Sequence, residues 1–436
     1  MREMKDSGVE WIGKIPKDWE IARIKNVTHR IIVGLATSVT QYYRENGTPI
    51  LRNTNIYQYK LDDSDVLYLD PYWASKQFSK LIHTNDILTV HTGYIGESCL
   101  VPPKYNNCLT FTTLVSTANK EKILPKYLMC EINSSIGKSK IYFTTDTGAQ
   151  NNLNVSDFAN LEIVVPAIKE QERILNYLDS RSFDINKMIA DIQSEIDTLE
   201  KYKRSVITEA VTKGLNKDVE MKDSGVEWIG KIPQNWSISK IGNFFHLRNE
   251  KNTLPRSRVK LLSLYSKKGV FPTGEEGTTN SGNHAQTVEG YKVVHKDDIV
   301  VNIILAWMGS LGVSDYNGVC SPAYDVYVPD KNKIVPHYYH YVFRTSGIAG
   351  ECYRYGRGIM MMRWRTYSHE FKQIKVPYPP MVEQQSIAEY LDSKCADIDK
   401  TISQKQQQLD ILNRYKKSLI YEYVTGKKEV PSSWQN

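Results

Sequence analysis

Residues 166–214 read PAIKEQERILNYLDSRSFDINKMIADIQSEIDTLEKYKRSVITEAVTKG, and residues 379–426 read PPMVEQQSIAEYLDSKCADIDKTISQKQQQLDILNRYKKSLIYEYVTG. In the first copy, apolar residues recur seven apart at Leu178, Ile185, Ile192, Leu199 and Val206, with Ile174, Leu175, Met188, Ile189 and Ile196 in neighbouring places. That spacing predicts one continuous helix with a single apolar stripe. The second copy keeps the stripe through Ile387, Leu391, Ile398, Ile402, Leu409, Leu412 and Leu419, interrupted by Lys405. The copies also match by letter: Glu170-Gln171 recurs as Glu383-Gln384, and Tyr177-Leu178-Asp179-Ser180 as Tyr390-Leu391-Asp392-Ser393, at a constant offset of 213. At about 1.5 Å per residue each helix would extend roughly 60–70 Å, too far to bury its stripe on one small domain. The other copy is the obvious partner, with Leu178, Ile185, Ile192 and Leu199 of one helix and Leu391, Ile398, Leu409 and Leu412 of the other as packing residues.

A second repeat precedes each globular stretch. MKDSGVEWIGKIP occupies residues 4–16 and again residues 221–233, with Trp19 and Trp236 following at matching places. Thirteen identical letters mark an internal duplication. The simplest role for this box is structural, with Val9, Trp11 and Ile12 in one copy, and Val226, Trp228 and Ile229 in the other, packing on the helices.

The order is therefore box, globular module, helix, taken twice. The boundaries are 1–165, 166–214, 215–378 and 379–436. In the first module, short apolar runs at Ile50-Leu51, residues 66–69, 87–90 and 161–165 alternate with Gly, Pro, Asn and Asp, which predicts mixed α/β structure with short strands and a helix near residues 125–136. The second module echoes it: Asn85-Asp86-Ile87-Leu88 against Asp297-Asp298-Ile299-Val300, and Leu124-Pro125-Lys126-Tyr127 against Val335-Pro336-His337-Tyr338. The expected fold class is α+β, with a pseudo-twofold internal repeat. An antiparallel helix pair would put a module at each end and bring the end of the second helix near the first box.

A net charge of +7 over 436 residues allows a polyanionic partner. Six cysteines lie scattered without metal-ligand spacing, which suits free thiols in a reducing compartment. The charged amino terminus, and the lack of any apolar run of membrane-spanning length, lead us to expect a cytosolic protein without membrane association.

Catalytic signatures are sparse. Gly137-Lys138-Ser139 has the ending of a phosphate-binding loop without its first glycine, and no dinucleotide or amino-methyltransferase motif occurs. Asp218, Glu220 and Lys222 have the letters of a nuclease set but sit in the linker before the second box. The histidines lack metal-ligand spacing, so we expect no bound metal or cofactor.

Binding signals are stronger. Residues 353–367, YRYGRGIMMMRWRTY, interleave Arg354, Arg357, Arg363 and Arg365 with Tyr353, Tyr355, Trp364 and Tyr367. Arginine pairs with guanine edges or phosphate, and aromatic rings pack on sugars and bases. Arg248, Lys251, Arg256, Arg258, Lys260, Lys267 and Lys268 form a candidate phosphate-facing stripe. In the first module the candidates are polar loop clusters: Tyr42, Tyr43 and Arg44; Arg52, Asn53 and Asn55 with Tyr57; His91, Thr92 and Tyr94; and Gln150, Asn151 and Asn152. Asn and Gln suit adenine. Turn-forming or capping roles are the plainer alternative for each.

Taken together, the chain resembles the specificity subunit of type I restriction-modification enzymes. The resemblance rests on the box-module-helix order taken twice, on Pro-x-x-x-Glu-Gln opening each helix at residues 166–171 and 379–384, and on the SGVEWIGKIP box. Gly47-Thr48-Pro49-Ile50-Leu51-Arg52 and Asp86-Ile87-Leu88 followed by Gly93 add to it. It implies two target recognition domains, each reading one half of a bipartite double-stranded DNA site. The helices would form an antiparallel coiled coil that sets the spacer and docks two methyltransferase subunits. Motor-nuclease restriction subunits would join the full complex, and S-adenosylmethionine, ATP and Mg²⁺ would belong to those partners. In the second module, Gly47 to Arg52 has no clean counterpart near residues 261–265. A self-sufficient DNA-modifying or DNA-cleaving enzyme and a coiled-coil protein scaffold are the two other readings.

Overall fold

The helix predicted over residues 166–214 runs from Ile168 to Lys213, and its counterpart from Met381 to Val424. Each stops at a glycine in the left-handed region, Gly214 at φ +76° and Gly426 at φ +69°, where a side chain would be strained. The computed structural model describes residues 2–10, 12–57, 59–134, 152–266, 269–274, 287–358 and 364–434.

The chain divides into two compact units, Met1–Gln193 with Gln407–Asn436, and Ser194–Gln406. The division cuts both long helices, so each unit holds part of each.

In the first unit, Ile174, Leu175, Leu178 and Ile185 of the first helix share one core with Leu419, Ile420, Tyr423 and Val424 of the second. The segments run antiparallel. The Tyr423 and Tyr177 hydroxyls lie 3.3 Å apart, and farther along Lys416 Nζ donates to Asn186 Oδ1 at 2.9 Å. In the second unit, Val206, Ile207, Ala210 and Val211 pack with Ile387, Ala388, Leu391 and Cys395. There Lys203 pairs with Asp399 at 2.6 Å, and Lys405 with Glu195. Ile398 and Leu409 are buried, while Ile192, Leu199 and Leu412 are half-buried. Met188 stands off the row and remains 46% exposed. Fully burying a leucine or isoleucine contributes about 1.5–3 kcal/mol, so the stripe is a major part of each core.

Beyond Val424 the chain leaves the helix and folds back within the first unit. Val430 is buried, and the Trp434 ring meets Tyr177 edge-on at 5.5 Å.

Each box is a short hairpin, Met4–Asp6 with Lys14–Pro16 and Met221–Asp223 with Lys231–Pro233, in the same register. Identical letters make identical bonds: the Ser7 amide donates to Gly13 O, and the Ser224 amide to Gly230 O, both at 3.0 Å. Each box closes on the end of a helix. A Cβ on Gly426 would lie 2.5 Å from Pro16 Cδ, and one on Gly214 would lie 3.2 Å from the Trp236 ring. Lys427 also donates to Ile12 O and Lys14 O at 2.6 Å, which brings the chain after the second helix against the first box.

The helix-opening motif has a physical reason. Gln171 and Gln384 are fully buried. Gln171 Oε1 accepts the Leu124 amide at 2.8 Å while its Nε2 donates to Pro166 O at 2.8 Å. Gln384 does the same with the Val335 amide and Pro379 O, also at 2.8 Å. One amide side chain thus ties helix start to module.

The first module is built on an antiparallel sheet ordered Ser98–Leu100, Ile87–Val90, Thr113–Ala118, Thr28–Val33, with a bulge between Thr117 and Ala118. Strand alternation splits its side chains between two cores: Ile87 and Leu114 face the helices, Leu88, Val90 and Val115 a second cluster. A mixed sheet orders Leu109–Phe111, Thr48–Arg52, Leu67–Leu69 and Tyr43–Arg44. Gly47 is required there, since a Cβ would lie 2.2 Å from Leu69 O. The predicted helix runs from Pro125 to Asn133. The second module repeats the scheme with Phe245–Leu247, Tyr324–Pro329, Ile299–Asn302 and Leu311–Val313. In both, the aspartate at the second place of the echoed motif is buried and closes the turn before the central strand: His83 N donates to Asp86 Oδ2 at 2.8 Å, His295 N to Asp298 Oδ2 at 2.7 Å.

Among the described residues, no helix is long and apolar enough to cross a membrane, and no group of three or more His, Cys, Asp or Glu is arranged to hold a metal ion. All six cysteines are free and buried.

Candidate nucleic-acid interface

The polar loops of the first module separate into residues that build turns and residues that face outward. Asn55 is buried; its Oδ1 accepts the Arg52 amide at 2.8 Å and its Nδ2 donates to Asp62 O at 2.9 Å. Arg52 turns to Asp65, donating to its carboxylate and its carbonyl at 2.8 Å. Tyr42 stacks on Trp73 with ring centroids 4.2 Å apart, and Arg44 reaches Asp70 at 3.3 Å. These four therefore hold loops in shape.

Asn53, His91, Thr92, Tyr94 and Asn152 come together from three stretches of chain. Asn53 Nδ2 donates to Thr92 O at 3.0 Å, Thr92 Oγ1 donates to Asn152 Oδ1 at 2.9 Å, and the Leu153 amide donates to His91 O at 2.9 Å. Burial keeps the His91 imidazole below its ordinary pKa, and its buried Nδ1 has no hydrogen-bond partner among the described residues. Tyr94 projects from this cluster, 82% exposed. Gln150 and Asn151 lie outside the described residues, as do Lys267 and Arg363.

In the second module, the described parts of the interleaved segment, residues 353–358 and 364–367, fold against each other. Arg357 and Arg365 pair as an isolated antiparallel bridge. Trp364 stacks on Tyr353 with centroids 5.1 Å apart, and its Nε1 donates to Tyr353 O at 3.0 Å. Gly356 makes room for that indole, since a Cβ there would lie 2.2 Å from Trp364 Nε1. Arg354 and Arg357 are largely exposed beside Glu351 and Glu370.

Members of the candidate basic stripe differ in what they touch. Arg248 grips the buried Asp298 with two bonds of 2.9 Å and also meets Glu250, so its charge serves the fold. Arg256 and Arg258 are exposed on a separate single turn. Lys222, from the nuclease-like letters, donates to Gln234 O at 2.7 Å within the box hairpin.

The residues sequence reasoning missed line a groove of about 820 Å³ beside Asn53 and Tyr94. Lys60, Asn186, Asn413 and Lys416 border it together with the already named Tyr57, all within the first unit. The constant offset between the helices was the signal that could have found the helical ones.

The family model described as type I restriction modification DNA specificity domain matches residues 16–208 and 233–410. A Methanocaldococcus jannaschii protein bearing the provisional name type I restriction enzyme MjaX specificity subunit is 26% identical over 429 residues, covering 96% of each chain. The MjaVIII specificity subunit of the same organism is 22% identical, covering 96% of this chain and 94% of its own. A solved structure described as the basis of complex assembly and conformational transition in the type I R-M system superposes with a TM-score of 0.65 at 15% identity, covering 95% of this chain and 99% of that one.

Proposed function

Because the chain belongs to the type I restriction modification DNA specificity family, we propose that it is the DNA-reading subunit of such a complex, each globular module reading one half of a bipartite target. The long helices pair antiparallel as a coiled coil, fix the spacer between the halves and dock two methyltransferase subunits. Restriction subunits complete the assembly. Methyl transfer and cleavage fall to those partners with S-adenosylmethionine, ATP and Mg²⁺, and this chain only recognises.

The observation carrying this reading is an internal contrast. The box recurs letter by letter, and the helix-opening glutamine and the tyrosine at each helix end make matching bonds in both units, whereas the outward clusters differ between the modules. Common parts suit a common partner, and unlike surfaces suit unlike half-sites. Two modest readers on one chain bind cooperatively, because seating the first raises the local concentration of the second.

The test uses this chain with its methyltransferase partner. Methylated positions are mapped, one module is exchanged for a divergent one, and residues are inserted symmetrically near Thr198 and Asp410. The exchange is expected to change one half of the target, and the insertion to lengthen the spacer. Targets that change in both halves, or in neither, defeat the reading.

A further inference from the structure

Two positions of the paired helices differ between the units in a way that shows at the groove. In the second unit Lys203 is neutralised by Asp399 at 2.6 Å. The repeat offset places Lys416 and Asn186 at the same two positions in the first unit, where lysine meets an amide at 2.9 Å. The groove-lining Asn413 likewise stands where the second unit has Glu200. Two carboxylates of one unit are thus replaced by two neutral amides in the other, and the lysine is kept.

The charge left behind is not dispersed. Burial, and then the Lys60 charge, hold the Lys416 ammonium below its ordinary pKa. Neither lysine has a carboxylate partner among the described residues. Asp62 also borders the groove, but its Oδ1 accepts the Ser64 amide at 3.0 Å. Tyr57 and Tyr94, both largely exposed, supply flat apolar faces at the same groove. Two cations, neighbouring amides and two phenol rings suit a phosphate ester attached to a planar ring.

We propose that this groove binds the phosphate of a nucleotide unit, held by Lys60 and Lys416, so that the helix pair itself contributes a contact to the bound nucleic acid. The proposal rests on the DNA-reading function above and adds a contact from the helix pair to those of the first module, which the second unit's Lys203–Asp399 pair does not match.

The full chain with its methyltransferase partner is titrated with cognate duplex over about 50–200 mM salt, as wild type, Lys416→Gln and Asn186→Asp. The second variant keeps the lysine and restores the ion pair seen at Lys203. In both, the slope of log affinity against log salt is expected to shrink by roughly 0.9, one phosphate contact. The ratio of cognate to half-site-altered affinity should not move. In a second arm, AMP and inorganic phosphate are titrated calorimetrically. AMP binding that Lys416→Gln abolishes, at unchanged slope, identifies a free nucleotide as the source and upholds the phosphate site. Unchanged slope and unchanged AMP binding in both variants overturn it. Weakened assembly with the methyltransferase at unchanged slope also overturns it, since the groove then serves an acidic protein surface. A wild type indifferent to half-site sequence defeats the functional reading instead, and the AMP arm alone then decides the groove.

Discussion

The Tyr338 hydroxyl donates to Val211 O at 2.9 Å, joining a module helix to the last turn of the first long helix. Tyr127 makes the equivalent bond to Val424 O at 2.7 Å. The last carbonyls of a helix lack intrahelical partners, and these two lie where water cannot serve them.

Tyr338→Phe keeps the ring and removes the donor. We expect a loss of about 1–2 kcal/mol in denaturant unfolding of the second unit, with faster amide exchange in the last helical turn. Unchanged exchange there would show that the carbonyl finds another donor.

Replacing Gln384 by Leu strands the Val335 amide and Pro379 O together. Two orphaned buried groups cost about 2–4 kcal/mol. Gln171→Leu should cost at least as much, since it breaks the matching two bonds and a third to Lys122 O at 3.0 Å, and a chemical melt of each variant compares them. A pair of variants differing widely would break the equivalence of the two joints.

Glu131 gives the first unit a pH dependence. It is buried, one oxygen accepts the Val164 amide at 3.0 Å, and the other has no partner among the described residues. Burial pushes its carboxyl up to about 8 from 4.5. The folded form therefore binds the proton more tightly than the unfolded chain, so the stability it contributes is full below about 4.5 and is lost as pH rises through about 8. Glu131→Gln should remove this slope and gain on wild type as pH increases. Parallel stability curves from pH 5 to 9 would contradict it.

Tyr94 tests the outward cluster because the fold does not need its ring. Tyr94→Ala should leave stability within about 0.5 kcal/mol and weaken cognate DNA binding by about 1 kcal/mol, roughly fivefold. Gly356→Ala should displace the Trp364 indole and lower discrimination at one half-site, read by competition between altered duplexes. Equal loss at both halves would count against separate readers.

The repeat, the long helices and the strands at residues 50–51, 66–69, 87–90 and 161–165 were legible because periodicity and literal recurrence survive without tertiary knowledge. The site was less so. Arg248, Arg52 and Asn55 have the residue types of DNA readers, yet Asp298, Asp65 and the turn at Asp62 claim them. Spacing reports a residue's kind and not the partner waiting across the fold. Asn186 and Lys416 escaped for the opposite reason: each looks like an ordinary helix-surface residue until set against Asp399 and Lys203.

Both compact units draw their helical segments from distant parts of the chain. When the ribosome has delivered the first long helix, Leu178 and Ile185 still await Leu419 and Tyr423, more than two hundred residues downstream. The first core therefore closes last, after the second half has been synthesised, and maturation of the earlier-made module waits on the later one.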